Sequence, residues 1–508
     1  MNRLLLDGNG LTLHQCSQFV RLSPQLTIAE TARQRMQKSR QVIREAVESG
    51  RTIYGVNTGF GKLADVRVNR PDLEELQLNL IRSHAAGVGE PFSVEIVRLI
   101  MLLKVNALAK GYSGVRPALV DLLIDMLNHH IHPVIPSRGS VGASGDLAPL
   151  AHLALTLTGE GKVLDRGREQ PANFALVRKG LKPLALKAKE GLAILNGTQV
   201  SLACGISGLD RLHNLVKAAD ILGAASVEAL KGTDIPFQAR LQEVRNQRGQ
   251  ELSARNLYRL LQESEIHESH RYCGKVQDMY SLRCMPQVHG AVRDAMSYAA
   301  DVFGREANAC TDNPVVFPDS GDIVSGGNFH AEPIGIPIDT LTTAAAELGN
   351  ISERRIAAMQ DPSMSQMPAF LTEAGGLQSG YMIPQVVAAS LVSENKGLAH
   401  PASVDSIPTS GNQEDHVSMA AGAGRQLLQV IENVETILAI EWLCACQGLD
   451  LKEGLKPARA LEPAYDLLRS EVPEYTKDRP HSGDIQQARE LIRSNALVEA
   501  ISENVELV

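Results

Sequence analysis

Leu427-Leu-Gln-Val-Ile-Glu-Asn-Val-Glu-Thr-Ile-Leu-Ala-Ile-Glu-Trp-Leu443 sets Leu427, Val430, Ile431, Val434, Ile437 and Leu438 three and four residues apart, with Leu443 further on. That period lines one face of an α-helix with apolar side chains. The pattern enters from Ser418 and runs past Trp442, more than twice the length of a mean helix, which is about 11–12 residues. Leu202, Ile206, Leu209, Leu212, Leu215 and Val216 repeat the same spacing. Helices this long need partners of similar length to cover their apolar faces. The expected fold is therefore mainly α, built around a bundle of long helices.

Working outward, glycine and proline cluster at residues 52–62, 132–149 and 310–337. These are the irregular segments, and irregular segments held by a rigid scaffold are where chemistry tends to sit. The expected organisation is a mixed N-terminal domain over 1–200 that carries the Gly/Ser-rich loop. A central long-helix bundle over 201–460 and a charged C-terminal helical tail over 461–508, of one or two short surface helices, follow. The chain has 508 residues, 44% hydrophobic and 21% charged, with aromatics at only 4% and a single Trp. A core of that kind rests on Leu, Ile, Val and Ala, which favours helices over a β-sandwich. The net charge of −8 and the lack of any long Lys/Arg run argue against nucleic acid or an anionic membrane as partner. The seven cysteines are scattered and odd in number and include no CxxC pair, which points to a reducing compartment rather than a disulfide framework. Cys444 and Cys446 sit in an apolar helical run and read as core packing. With no signal-peptide pattern at the N-terminus and no long uninterrupted apolar run, the expected location is cytoplasmic.

The least ordinary stretch is Ile135-Pro-Ser-Arg-Gly-Ser-Val-Gly-Ala-Ser-Gly-Asp-Leu-Ala-Pro149, whose centre sets Ser144 between residues with little or no side chain. A hydrolase nucleophile elbow needs Gly-x-Ser-x-Gly, and Asp146 stands where its last glycine belongs. A backbone reaction also needs small residues. The Gly145 amide nitrogen could attack the Ala143 carbonyl carbon, with loss of water, to close a five-membered imidazolone. Loss of the Ser144 hydroxyl as a second water would leave an exocyclic methylene, an electrophile that no ordinary side chain supplies. Residues 143–145 alone leave this reading and a plain Gly/Ser turn equally open.

Gly139-Ser-Val-Gly-Ala-Ser-Gly-Asp-Leu-Ala-Pro-Leu150 resembles the signature of the aromatic amino acid lyases, which comprise histidine, phenylalanine and tyrosine ammonia-lyases and related aminomutases. The resemblance extends over nearly the whole chain. It includes Tyr54-Gly-Val-Asn-Thr-Gly-Phe-Gly61, Leu195-Asn-Gly-Thr-Gln199, Val276-Gln-Asp-Met-Tyr-Ser-Leu-Arg283, Gly326-Gly-Asn-Phe-His330 and Asn412-Gln-Glu-Asp-His416. It implies a fumarase/aspartase-like helical bundle. It also implies a 4-methylidene-imidazol-5-one formed autocatalytically from Ala143, Ser144 and Gly145, with no external cofactor. The implied assembly is a homotetramer whose active sites are shared between subunits.

The β-hydrogen of an amino acid is barely acidic and ammonia leaves poorly. Bonding the amine to a built-in electrophile improves the leaving group, and a base must then take the β-proton. By the resemblance, Tyr54 is that base and Tyr280 the partner that positions or activates. A tyrosine base needs positive charge or hydrogen bonds to bring it down from its ordinary pKa of about 10. Asp146 assists cyclisation or dehydration, Asn196 donates to the imidazolone oxygen and touches the substrate amine, and Phe329 packs against the ring. Gln277 borders the substrate. Arg283 holds the substrate carboxylate through the paired donors of a guanidinium, which lysine cannot reproduce.

Substrate choice rests on Ser83-His84 and on Glu414. Phenylalanine lyases carry an apolar residue where His84 stands, and tyrosine lyases often show a His-His pair. Phenylalanine and tyrosine lyases generally have Gln in place of Glu414. A buried carboxylate facing a phenyl ring is an unpaired charge, whereas facing an imidazole N–H it is a charge-assisted acceptor. The expected reaction is thus L-histidine to trans-urocanate and ammonia, the first step of histidine degradation. The alternatives are a tyrosine or phenylalanine lyase or an aminomutase on the same scaffold, or a homologue without catalysis. Four positions depart from the histidine branch: Met279 for Pro, Met285 for Gln, His289 for a smaller or apolar residue and Gly411 for Ala. No metal site is expected. His129-His-Ile-His132 abuts Pro133 without companion ligands, and His267-Glu-Ser-His270 is one residue short of a zinc helix.

Overall fold

The computed structural model describes residues 3–452 and 454–508. The fold is mainly α. The chain gathers into two compact units, each assembled from three separated stretches. The first takes the chain up to Ser207 together with Ala299–Asp339 and Pro401–Arg425. The second takes Gly208–Tyr298, Thr340–His400 and Gln426–Val508. An expected boundary at 200 thus lies near Ser207, and the one at 460 lies inside the second unit.

The first unit is mixed. Its short sheets pair Arg3–Leu6 with Gln25–Ile28 in parallel, and Ile131–Pro133, Lys162–Asp165 and Arg168–Pro171 antiparallel. Helix Val94–Ala109 is capped by Ser93, whose hydroxyl accepts from the Ile96 N–H. It is buried without a break from Ile96 to Asn106, as expected for a helix that is apolar on every side. Arg98, Lys104 and Asn106 are carried into the core with it. The Arg98 guanidinium lies over the Phe19 ring and 3.3 Å from His132 Nε2. Burial and that neighbouring cation push His132 down to about 4. The imidazole that a metal reading would recruit therefore already faces a positive charge.

In the second unit run the larger parts of the long helices Gln199–Ala229, Met285–Glu306, Glu332–Gln360 and Ala420–Asp450. Leu427, Val430, Ile431, Val434, Ile437, Leu438 and Leu443 are all fully buried, as the period requires. Close approach is set by small residues: a side chain at Gly208 would come within 2.8 Å of Leu427 Cγ. The Glu441 carboxylate in this core is saturated. Both Glu441 carboxylate oxygens are engaged by Arg355, with Ser226 and Ser352 hydroxyls donating to one oxygen each. That completeness is what makes a buried ion pair tolerable. The tail forms three helices, Glu462–Glu471, His481–Arg493 and Ala496–Ser502, where one or two were expected. Asn495, at φ 74°, breaks the run between the last two, and each buries apolar residues, among them Leu468, Ile492 and Ile501.

Glu228 is buried in the second unit and its carboxyl accepts from the Ser264 hydroxyl at 2.7 Å. Burial pushes it up to about 7. An acid whose folded pKa is raised binds more protons folded than unfolded between about 4.5 and 7, so its contribution to stability falls as pH rises through that window. Glu228→Gln is expected to remove that slope and to raise stability at pH 7 and above by an amount on the order of 3 kcal/mol. Denaturant unfolding of both proteins from pH 4.5 to 8 measures it, and identical slopes would refute it.

Candidate active site

The loop from Ser140 to Asp146 is held from several sides within the first unit. The Ser140 hydroxyl accepts from the Gly142 N–H at 3.1 Å and donates to the Asp146 carboxylate at 3.1 Å, closing the loop on itself. The Gly142 carbonyl accepts from the Ser418 hydroxyl at 3.0 Å and from the Ala331 N–H at 3.2 Å. The Met419 N–H donates to the Val141 carbonyl at 2.8 Å. The Gly142 N–H and the Val141 and Gly142 carbonyls thereby find partners in a loop that is mostly buried.

Asp146 is fully buried. Its carboxylate accepts from the Val200 and Ser201 N–H groups at 3.0 and 2.8 Å, from the Ser201 hydroxyl at 2.8 Å and from Ser140. Burial pushes its pKa up, and these hydrogen bonds oppose the shift. The two backbone donors come from the first turn of helix Gln199–Ala229, where N–H groups have no partner within the helix. Asp146 therefore acts as a tether between the loop and a helix start, with each of its oxygens already accepting two hydrogen bonds.

Gly145 lies directly on Gly197. The two form an isolated parallel bridge, and the Asp146 N–H donates to the Gly197 carbonyl at 2.8 Å. Gly145 has φ +77°, and a β-carbon there would stand 2.6 Å from the Gly197 carbonyl carbon and closer still to its oxygen and nitrogen. Only glycine meets both demands. Asn196, just before Gly197, is buried and donates its amide to the Asn313 carbonyl at 2.9 Å.

Above Ser144 stands Glu414. The Ser144 hydroxyl donates to its Oε1 at 2.7 Å, while Thr409 and Ser410 hydroxyls donate to Oε2 at 2.6 and 2.9 Å. Half-burial pushes the Glu414 pKa up, but the hydroxyls of Thr409, Ser144 and Ser410 and the charge on nearby His84 outweigh it, so it sits below the ordinary carboxylate value. Thr409 and Glu414 pair through their backbones across a tight turn. Gly411 in that turn has φ +63°, which accounts for glycine where alanine was the expectation. His84 ends helix Leu73–His84, its Nδ1 2.8 Å from the Leu80 carbonyl.

Tyr54 is half-buried in the first unit. Its hydroxyl accepts from the Gly61 N–H at 3.3 Å and its ring meets Phe60 edge-on. Phe329 is also half-buried, two residues before the Ala331 that braces the Gly142 carbonyl. Ser144, Glu414, Asp146 and Asn196 are thus joined through the loop and its direct partners, and His84 is close enough to Glu414 to act on its charge. Gln277, Tyr280 and Arg283 belong to the second unit. Gln277 is exposed, Tyr280 is 71% exposed, and the Arg283 guanidinium lies 4.7 Å from the centre of the Tyr280 ring. Arg283 Nε is buried without a hydrogen-bond partner among the described residues.

Several residues escaped the sequence reading: Ser140, Gly197, Thr409, Ser410 and Ser418. Each is a small polar residue or glycine inside a quoted block or beside one, and nothing local distinguishes its role. Lys104 did leave a signal: with Arg98 it is one of two cations in the largely apolar run Ile96–Ala109. Gly145→Ala is expected to cost about 1–3 kcal/mol through overpacking on Gly197. Chemical denaturation reads the effect, and an unchanged midpoint would contradict the Gly145–Gly197 apposition.

The motif-bearing loop, the helical fold and the carboxylate over Ser144 define a class that the comparisons confirm. The aromatic amino acid lyase family matches residues 11–470, and the chain belongs to that family. A histidine ammonia-lyase of Yersinia enterocolitica is 54% identical over 490 residues, which cover 96% of this chain and 97% of the relative. Among solved structures, histidine ammonia-lyase from Trypanosoma cruzi is similar with a TM-score of 0.92 and 42% identity, covering 99% of this chain and 96% of that one. Tyrosine aminomutase from Streptomyces globisporus is similar with a TM-score of 0.95 at 34% identity, each chain covered in full.

Proposed function

We propose that this enzyme eliminates ammonia from L-histidine to give trans-urocanate, the opening step of histidine degradation. The observation that carries the reading is Glu414, a carboxylate kept ionised and set 2.7 Å from the Ser144 hydroxyl. Thr409 and Ser410 satisfy Oε2, and Oε1 loses its donor when the Ser144 hydroxyl leaves; an imidazole N–H can then pair with that oxygen, whereas a phenyl ring cannot. The relatives named for histidine, at 54% and 42% identity, support the same substrate.

Residues 143–145 suit conversion to 4-methylidene-imidazol-5-one. The bare α-carbon of Gly145 is pressed on Gly197 and the loop is clamped at Val141, Gly142 and Asp146. Attack of the Gly145 nitrogen on the Ala143 carbonyl carbon expels one water, and loss of the Ser144 hydroxyl with its α-hydrogen expels the second. Once formed, the group supplies an electrophile that makes the substrate nitrogen a better leaving group. No external cofactor is required.

The chain's own residues do the rest. Asp146 holds the loop in its closing conformation, and Asn196 offers an amide to the imidazolone oxygen and the substrate amine, while Phe329 packs against the ring. Arg283 takes the substrate carboxylate, with its unpartnered Nε as an available donor, and Gln277 lines the same place. Tyr54 removes the β-proton and Tyr280 positions it. His84 and Glu414 recognise the imidazole. The exposure of Gln277 and Tyr280 supports an assembly, a homotetramer, whose sites combine residues from several subunits. No described helix is long and apolar enough to cross a membrane, and the cysteine pattern supports a cytoplasmic location.

Purified protein assayed by ultraviolet absorbance with histidine, tyrosine and phenylalanine should form a conjugated product from histidine. Rapid release from tyrosine with none from histidine would transfer the assignment to a tyrosine ammonia-lyase on the same scaffold. Glu414→Gln should reduce histidine turnover by about 10²-fold or more with little change in unfolding midpoint. Unchanged kinetics would remove Glu414 from the site. Because the Glu414 pKa is lowered, its contribution is present above the ordinary value of 4.5 and is lost only as pH falls through the lowered one.

A further inference from the structure

Lys104 is a fully buried ammonium that no ion pair explains. It is 1% exposed, and no carboxylate oxygen lies within ion-pair distance of it among the described residues. Asp312, the acidic group that acts on it most strongly through space, is already paired with Lys189 at 2.6 Å. Lys104 Nζ instead donates to the Asn196 carbonyl at 2.6 Å and reaches the Ala193 carbonyl at 3.5 Å. Both carbonyls belong to the end of helix Glu190–Leu195, where the last carbonyls have no partner within the helix. Burial pushes the lysine down to about 7, so the surroundings disfavour its charge. An apolar side chain of similar length would fit this core at lower cost.

The backbone leads from that ammonium to the tripeptide in one step. The peptide unit whose oxygen Lys104 holds is the one that joins Asn196 to Gly197. Gly197 is the surface on which Gly145 rests, backbone against backbone, with no side chain between to absorb a shift. The next hydrogen bond, Asp146 N–H to the Gly197 carbonyl at 2.8 Å, repeats the coupling one residue on. We propose that Lys104 is a positioning residue for maturation of the prosthetic group, its ammonium fixing the Asn196–Gly197 peptide against which Ala143-Ser144-Gly145 is bent to cyclise. Lys104 touches neither substrate nor reacting atoms. It acts through the Asn196–Gly197 peptide on the ring-closing residues. The inference rests on the cyclisation reading of residues 143–145, and the test separates the two.

Intact mass, the ultraviolet spectrum and the thermal midpoint are compared for the unaltered protein, Lys104→Met and Lys104→Gln. The unaltered protein should be lighter than its sequence by roughly 36 Da, the mass of two waters. No deficit there would overturn the cyclisation reading, and this inference with it. With the deficit present, folded Lys104→Met should show a mature fraction reduced by about tenfold or more. Lys104→Gln, which keeps a donor for the Asn196 carbonyl, should recover most of it. A purely structural lysine would move the midpoint and leave the mass of the folded fraction unchanged. Full maturation of Lys104→Met overturns the proposal, as does equal loss in Met and Gln variants of matched midpoint. Should Lys104→Met not fold, Lys104→Ala replaces it under the same criteria, since water can then reach the carbonyl.

Discussion

A trans peptide segment does not bend back on itself to bring a nitrogen against a carbonyl two residues earlier unless the surroundings hold it there. In this protein the loop that we propose cyclises is held against another peptide. Gly145 rests on Gly197 so closely that not even a methyl group fits between them, and Asp146 ties the same loop to the first turn of a 31-residue helix. Ser418, Met419 and Ala331 hold the loop from one side. On the other, Lys104 donates to the Asn196 carbonyl and the Asn313 carbonyl accepts from the Asn196 side-chain amide.

The second unit solves a different problem. Long helices with fully apolar seams bury Leu, Ile and Val in quantity, but their polar residues need partners inside the core. Glu441 with Arg355, Ser226 and Ser352 is one such closed set. Asp220 is another, accepting from Ser253, Asn256, His289 and Arg293. His289, which departs from the usual smaller residue, is thus engaged through Nδ1 by a carboxylate and belongs to the scaffold of its helix. Arg355 also reaches the Ser281 carbonyl at 3.4 Å, between Tyr280 and Arg283. That contact ties the four-residue turn Tyr280–Arg283 to the buried Glu441 set.

The long helices were legible because an uninterrupted three-four spacing from Leu427 to Leu438 admits no other economical burial. The tripeptide was legible as a place needing small residues, and its family resemblance supplied the rest. The contacts that make the loop work were not. Ser140, Thr409 and Ser418 act by hydroxyls that any serine or threonine possesses, and their partners lie up to hundreds of residues away, as with Ser418 and Gly142. The discontinuous units were also invisible to a reading that moves along the chain, because helices such as Ala420–Asp450 begin in one unit and continue in the other. Asp146 illustrates the limit well: its position beside the tripeptide suggested help with cyclisation or dehydration, while its four hydrogen bonds to Ser140, Val200 and Ser201 could not be read from the sequence.

The clamp on residues 141–144 comes from the stretch Pro401–Arg425, which supplies Glu414, Ser418 and Met419. A ribosome adding about 5–20 residues per second needs on the order of ten seconds or more to travel from the loop to that stretch. The roof is therefore made long after both the loop and Gly197, its floor. If residues 143–145 cyclise as proposed, closure that depends on the roof waits until most of the polypeptide exists, a timer written into the order of synthesis.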